Sequence, residues 1–224
     1  MNRSKAFPVA TNTRKTIGAF IEDTCADFQH SLTIVACWRR SRFLEQLALY
    51  ASSITELSDS LASDDAEASQ ALTRNSPTSL LQPTLRLLAT SLNTKIVFCS
   101  TIPSFRAFVS TLVLRESQSR DRSSQVVIVD MLALHHGTSE FSVQGLSRTF
   151  AMLSSVNHDI PGEMRLVECD AIEDPSDPQR GTKLWNTEVP LLNGSVKIGE
   201  AGQGWASRTT SIKSFAARWF QFDS

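Results

Sequence analysis

Residues 125–141 read QVVIVDMLALHHGTSEF, and the reading of this stretch decides the fold. Five of the six residues from Val126 to Met131 are hydrophobic, and the sixth is Asp130. The run is short, rich in β-branched residues and without helical period, which predicts a strand over Val126–Met131. Its apolar residues do not alternate with polar ones, as expected of a strand covered on both faces. A carboxylate that closes such a run is costly to bury unless it has a partner or a task. Two roles fit Asp130. It could hold a magnesium ion beside a nucleotide, or it could accept hydrogen bonds from nearby backbone and hydroxyl groups.

Working outward, the same type of run recurs at Leu32–Trp38 (LTIVACW), Lys95–Cys99 (KIVFC) and Arg165–Cys169 (RLVEC). Helical spacing separates these runs. Ser41 is a cap ahead of RFLEQLALYASSI, Leu80–Leu92 carries Pro83 near its start, and Pro103–Leu114 and Ser142–Val156 complete the set. Strands that alternate with helices of this length predict an α/β fold, with a mostly parallel central sheet and right-handed crossovers. Thr55–Thr78 is dominated by Ser, Asp, Glu and Ala and is expected to be a mobile polar insert, helical in part. Beyond Cys169 the helical pattern is expected to stop. Asn193-Gly194 is a hairpin signal between strand-like runs from Glu188 to Ile198. Gly199, Gly202 and Gly204 mark a second turn, and Arg208–Phe222 alternates as a final strand. The tail is therefore expected to add antiparallel strands to the core. Residues 1–30 are expected to form an arm and a first helix, ahead of one domain over 31–224.

With 224 residues and 41% hydrophobic content, the chain can bury a sizeable core. A formal charge of -1 excludes a global basic field, so any nucleic-acid contact needs a local patch. No apolar window is long enough to span a membrane, and the N-terminal residues lack the apolar core of a secretory signal. Cys25, Cys37, Cys99 and Cys169 are scattered without a CxxC pair, as buried thiols in a reducing compartment would be.

A nucleotide site needs a phosphate cradle of glycine N–H groups, with a Lys followed by Ser or Thr. The expected place is the turn after the Leu32–Trp38 strand. There ACWRRSRFLEQL has no glycine and no such Lys, and it puts Trp38 and Arg39 where backbone must approach phosphate. No catalytic residue, metal ligand or cofactor is therefore expected. His135 and His136 are neighbours, and they point in different directions on a regular element. Asp170, Glu173, Asp174 and Asp177 form an acidic loop that reads as solvated. The basic residues carry the binding expectation. Arg39, Arg40 and Arg42 cluster after the first core strand, where open α/β sheets place ligands. Arg120 and Arg122 occupy a polar loop, and Lys213 lies beside aromatic residues of the tail. Guanidinium groups suit phosphate contacts. The same residues also fit a surface balanced by 23 acids.

VVIVDMLAL, followed by GLSRTFAMLSSV and RLVEC, resembles the Walker B strand and the next elements of RecA-type ATPases. The tail, LWNTEVPLLNGSVKI and RTTSIKSFAARWFQF, is similar to that of divergent fungal recombinase paralogues of the Shu-complex type. The resemblance covers about Ser31 to Phe222 apart from the insert. It implies a RecA-like subunit in which Asp130 is a degenerate Walker B residue and ATPase activity is absent. The partners implied are another RecA-like subunit or a recombinase, together with DNA, in the nucleus. The function implied is assistance to homologous-recombination repair. Accessory subunits of Elongator, a tRNA-modification complex, resemble the same features and give the alternative, with the cytoplasm as the alternative location. A third reading is an enzyme with a pocket near His135, His136 and Asp130.

Overall fold

A computed structural model of the chain describes residues 8–11, 15–27, 31–61, 84–116, 124–191 and 209–222. In chain order, the first half comprises β1 (Val9–Thr11), α1 (Ile17–Asp27), β2 (Leu32–Ala36), α2 (Arg40–Leu61), α3 (Leu85–Asn93), β3 (Thr94–Phe98) and α4 (Ile102–Glu116). The second half comprises β4 (Gln125–Val129), α5 (Met131–His135), α6 (Val143–Asp159), β5 (Glu163–Val167), a 3-10 helix (Gly181–Asn186), β6 (Glu188–Pro190), β7 (Thr209–Ser211), α7 (Ile212–Ala216) and β8 (Gln221–Phe222).

The fold is α/β, as the periodicity predicts. Six strands form one sheet in the order β3-β2-β4-β5-β1-β8, and every pairing in it is parallel. Within β2 and β4 successive residues feed opposite layers. Val35, Val126 and Ile128 meet Phe105, Val109, Leu146 and Phe150 of α4 and α6. Leu32, Ile34, Val127 and Val129 meet Ile17, Ile21 and Phe43 of α1 and α2. Two-sided cover explains why all five residues of β4 are buried, and why its sequence shows no polar alternation. Ser142 caps α6 by accepting the Gly145 N–H at 3.2 Å.

Several boundaries differ from those expected. Val9–Thr11, within the segment read as an arm, is a strand of the central sheet, held between β5 and β8. Three residues are too few for a periodicity signal. Helix α2 continues to Leu61, past the expected start of the insert at Thr55, because Ser, Asp and Glu do not stop a helix already nucleated. The remainder of the insert, the Asn193-Gly194 hairpin and the glycines of 199–204 lie outside the described residues. Met131 opens a helix and does not end a strand. Helical structure also persists after Cys169, in the 3-10 helix and in α7. The expected final strand is thus split. Thr209–Ser211 pairs antiparallel with Glu188–Pro190 in a separate two-stranded sheet. Ile212–Ala216 turns helical, with Ser211 accepting the Ser214 N–H at 3.3 Å as cap. Gln221–Phe222 then returns to the main sheet, parallel to β1. The alternation of Ile212, Phe215, Phe220 and Phe222 reflects burial against α6 and the 3-10 helix, with Phe150 stacked on Phe215 at 5.3 Å and Trp185 edge-on to Phe222 at 5.0 Å. Among the described residues no helix is long and apolar enough to cross a membrane.

Candidate functional site

The C-terminal ends of β4 and β5 carry two buried acids, Asp130 and Glu168. Asp130 directly follows β4 and is fully buried, with φ 59° and ψ 41°, and it is the one non-glycine residue with positive φ among those described. This left-handed geometry is uncommon outside glycine. Its N–H donates to the Val167 carbonyl at 2.8 Å, and its Oδ1 accepts the Cys169 N–H at 2.6 Å. The carboxylate thus fastens the end of β4 to the end of β5, the hydrogen-bonding role read as one of its two possibilities.

Glu168 is buried beside it. Its Oε1 accepts the Leu132 N–H at 2.7 Å and its Oε2 the Ala133 N–H at 3.4 Å, so it caps α5 from the neighbouring strand. Two carboxylates buried together need a countercharge. Arg180 supplies it from the loop before the 3-10 helix, with Nη1 3.7 Å from Asp130 Oδ2. The same guanidinium lies over Trp38, with Cζ 4.4 Å from the ring centroid. The Trp38 indole N–H faces the carboxylate without completing a hydrogen bond, and Asp130 Oδ2 and Arg180 Nη1 are likewise buried and incompletely bonded. Burial pushes Asp130 up to about 7, against the lowering pull of the Cys169 N–H, Arg180 and Trp38. Burial, followed by the charge of Asp130, also drives Glu168 well above the usual carboxylate range.

Strand order gives this cluster its position. Helices α1 and α2 pack together on one face of the sheet, and α4 and α6 on the other. The chain leaves β2 toward one face and its neighbour β4 toward the other. The ends of β2 and β4 therefore border a crevice of the kind where open α/β sheets bind ligands. Trp38 and Asp130 border that crevice, and Arg180 lies between them.

The turn after β1 carries a signal that the sequence reading looked for one strand too late. Lys15-Thr16 opens α1, where a phosphate loop places its Lys-Ser/Thr pair. At the spacing of that loop its two glycines would fall at 9 and 14, which hold Val9 and Arg14. Lys15 Nζ pairs with Asp23, and Thr16 Oγ1 accepts the Ala19 N–H at 3.4 Å. The Asp170 N–H donates to the Lys15 carbonyl at 3.0 Å and ties this turn to the end of β5.

The basic residues named from sequence do not form one face. Arg39 and Arg40 are exposed at the start of α2, beside the crevice, without an ion pair among the described residues. Arg42 is held by Glu45 and Glu173, each at 2.9 Å. Lys213 belongs to α7, not to a strand, on the layer opposite α2, with Nζ 5.4 Å from the Phe222 ring. Arg120 and Arg122 lie outside the described residues. Arg106 points inward, its Nη2 donating to Glu140 at 2.8 Å and to Thr149 at 3.0 Å.

The two histidines separate as expected for neighbours. His135 is buried, with Nδ1 2.8 Å from the Met131 carbonyl and Nε2 3.0 Å from Thr149 Oγ1. The carbonyl can only accept, so Nδ1 carries the proton and Nε2 accepts from the hydroxyl. Burial lowers the His135 pKa and keeps the ring neutral. His136 stands edge-on to Phe141 at 4.8 Å. In the acidic loop, Asp174 accepts the Ser176 N–H at 2.8 Å and Asp177 the Gln179 N–H at 2.8 Å, while Glu173 holds Arg42. Among the described residues no group of three or more His, Cys, Asp and Glu side chains is placed to hold a metal ion.

Sequence reasoning missed Glu168, Arg180 and Lys15-Thr16. Glu168 had the signal that drew attention to Asp130, an acid closing an apolar run. Gly181, directly after Arg180, marked a special backbone. The chain matches no protein-family model and no curated protein.

Proposed function

We propose that the chain is a non-catalytic, RecA-like subunit that assists homologous-recombination repair in the nucleus by holding a partner protein and DNA. One observation carries this reading. The crevice where such a sheet would take a nucleotide is filled by the chain itself, with Arg180 lodged between Trp38 and Asp130. Of the carboxylate that would meet magnesium, Oδ1 accepts the Cys169 N–H and Oδ2 lies 3.7 Å from Arg180 Nη1. Lys15 is drawn toward Asp23, and Val9 and Arg14 carry side chains where a phosphate loop needs bare backbone.

The melting temperature is expected to stay constant on addition of millimolar ATP and magnesium, as read by thermal shift. A ligand that binds the native state raises it by mass action, so a clear rise would overturn the non-catalytic reading. Affinity capture from cells is expected to recover a recombinase or a second RecA-like chain. Recovery of a six-membered tRNA-modification assembly would replace the repair reading with the Elongator one.

Arg39 and Arg40 are the residues offered to DNA phosphates. Arg39→Ala with Arg40→Ala is expected to weaken binding equally across sequences and to reduce the salt slope by about 2, one for each phosphate no longer neutralised. Unchanged affinity and slope in fluorescence anisotropy would remove these arginines from the interface.

A further inference from the structure

The two edges of the sheet differ. The β8 edge is two residues long, whereas the β3 edge presents five, Thr94–Phe98. β3 pairs only with β2 among the described residues. The Cys99 N–H donates to Ala36 at 2.8 Å, so residues of odd number in β3 face β2. By alternation, Thr94, Ile96 and Phe98 turn their N–H and C=O groups to the open edge. The side chain of Ile96 is 39% exposed. It shares a face with Phe98, which packs in the α1–α2 layer.

Helix α3, which leads directly into β3, lies on that layer and contacts α1. Its apolar residues Leu85, Leu88, Ala89 and Leu92 follow helical spacing. This stripe faces outward, with Leu85 85%, Leu88 56% and Leu92 87% exposed. A three-leucine stripe continuous with an open apolar strand is a patch of the kind that marks an interaction surface.

We propose that this surface binds a second copy of the chain, with β3 pairing antiparallel to its own counterpart about a two-fold axis at Ile96. The inference deepens the reading of a binding subunit, and rests on it, by naming a surface and an occupant. A row of outward N–H and C=O groups matches the hydrogen-bonding pattern of another extended strand, and β3 is itself such a strand. A two-fold axis at Ile96 makes the outward-turned residues the directly bonded pairs. Ile96 faces Ile96, and Thr94 faces Phe98, each pair exchanging two main-chain bonds. Lys95, the one charged residue of β3, falls opposite Val97 and not opposite its own copy. The same axis brings the two uncharged leucine stripes to one side of the joined sheet.

Sedimentation equilibrium of the purified full chain tests this. The wild type is expected to dimerise with a Kd on the order of 10 μM, as suits an interface at the small end of the range. Ile96→Pro removes an N–H that β2 does not use, so the sheet tolerates it as it tolerates proline at edge strands. Leu88→Glu with Leu92→Glu charges the stripe at two exposed positions. Each variant is expected to weaken dimerisation by about 100-fold, while circular dichroism and melting stay as in the wild type. A wild type that remains monomeric at about 500 μM overturns the proposal. So does dimerisation of both folded variants at wild-type strength, or capture of an unrelated strand at β3 by a monomeric wild type. None of these outcomes depends on the nucleotide thermal shift, which tests the non-catalytic reading separately.

Discussion

Replacing Arg180 with methionine is expected to lower the stability of the folded protein by ~1 kcal/mol more at pH 8 than at pH 5. Methionine keeps apolar bulk against Trp38, so the loss comes from the charge. Without Arg180, Asp130 and Glu168 remain buried with backbone N–H donors and no cation. The pH dependence follows from the direction in which Asp130 shifts. The folded protein holds this proton up to about pH 7, whereas an unfolded aspartate releases it near pH 4. The native state therefore binds more protons across that window, and wild-type stability falls as pH rises through it. Loss of Arg180 raises both acids further, which widens the window and makes the variant steeper. Near pH 5 both carboxyls are protonated in the folded variant, and the missing cation matters little. Urea denaturation at pH 5, 7 and 8 reads this directly. An equal loss at all three values would mean that Arg180 acts only by packing on Trp38.

Gly181→Ala is expected to cost ~3 kcal/mol or more, through strain and collision at a special backbone position. Gly181 has φ +72°, and a Cβ added there would lie 1.6 Å from Asp170 Oδ1. The Asp170 carboxylate would have to rotate away, while its Cα, 3.3 Å from the added carbon, is held in place by the N–H bonded to the Lys15 carbonyl and by the backbone bridge to Thr16. The strain would be relieved by displacing the neighbouring Arg180, so the variant should also show the steeper pH dependence expected on loss of that cation. Gly137→Ala provides a comparison. Gly137 has φ +75° but nothing within 4 Å of the added carbon. Only the left-handed backbone is then penalised, at ~1–2 kcal/mol. Equal losses in the two variants, measured by denaturant midpoint, would show that the contact with Asp170 does not contribute.

The parallel sheet was legible because β2 and β4 are covered on both faces and their sequences are near-continuous apolar runs. β1 was not legible. Three residues, Val9–Thr11, cannot display a period, and their place between β5 and β8 depends on partners more than 150 residues away in the chain. The tail misled for a related reason. Its aromatic residues alternate as in a strand, but Phe215 and Phe220 are buried by α6 packing against a short helix and a turn. At the site, Asp130 announced itself as an acid in an apolar run, whereas its partnership with Arg180 joins two distant loops that no local pattern links. The arginine cluster was visible as composition. Whether each residue was spent on a local acid, as Arg42 is, depended on where Glu45 and Glu173 fall in space.

The position of β1 also governs how the chain can be made. This strand, which precedes every other strand of the sheet in the chain, is hydrogen-bonded on one side to residues 165–167 and on the other to residues 221–222. While a ribosome is still extending the polypeptide, β2, β3 and β4 can already associate, but β1 has no complete berth until translation has passed Phe222. Closure of such distant pairings is slow. The sheet is therefore complete only once Phe222 has emerged, and the outer edge of β1 stays unpaired in the interval, an edge that a chaperone would have to shield.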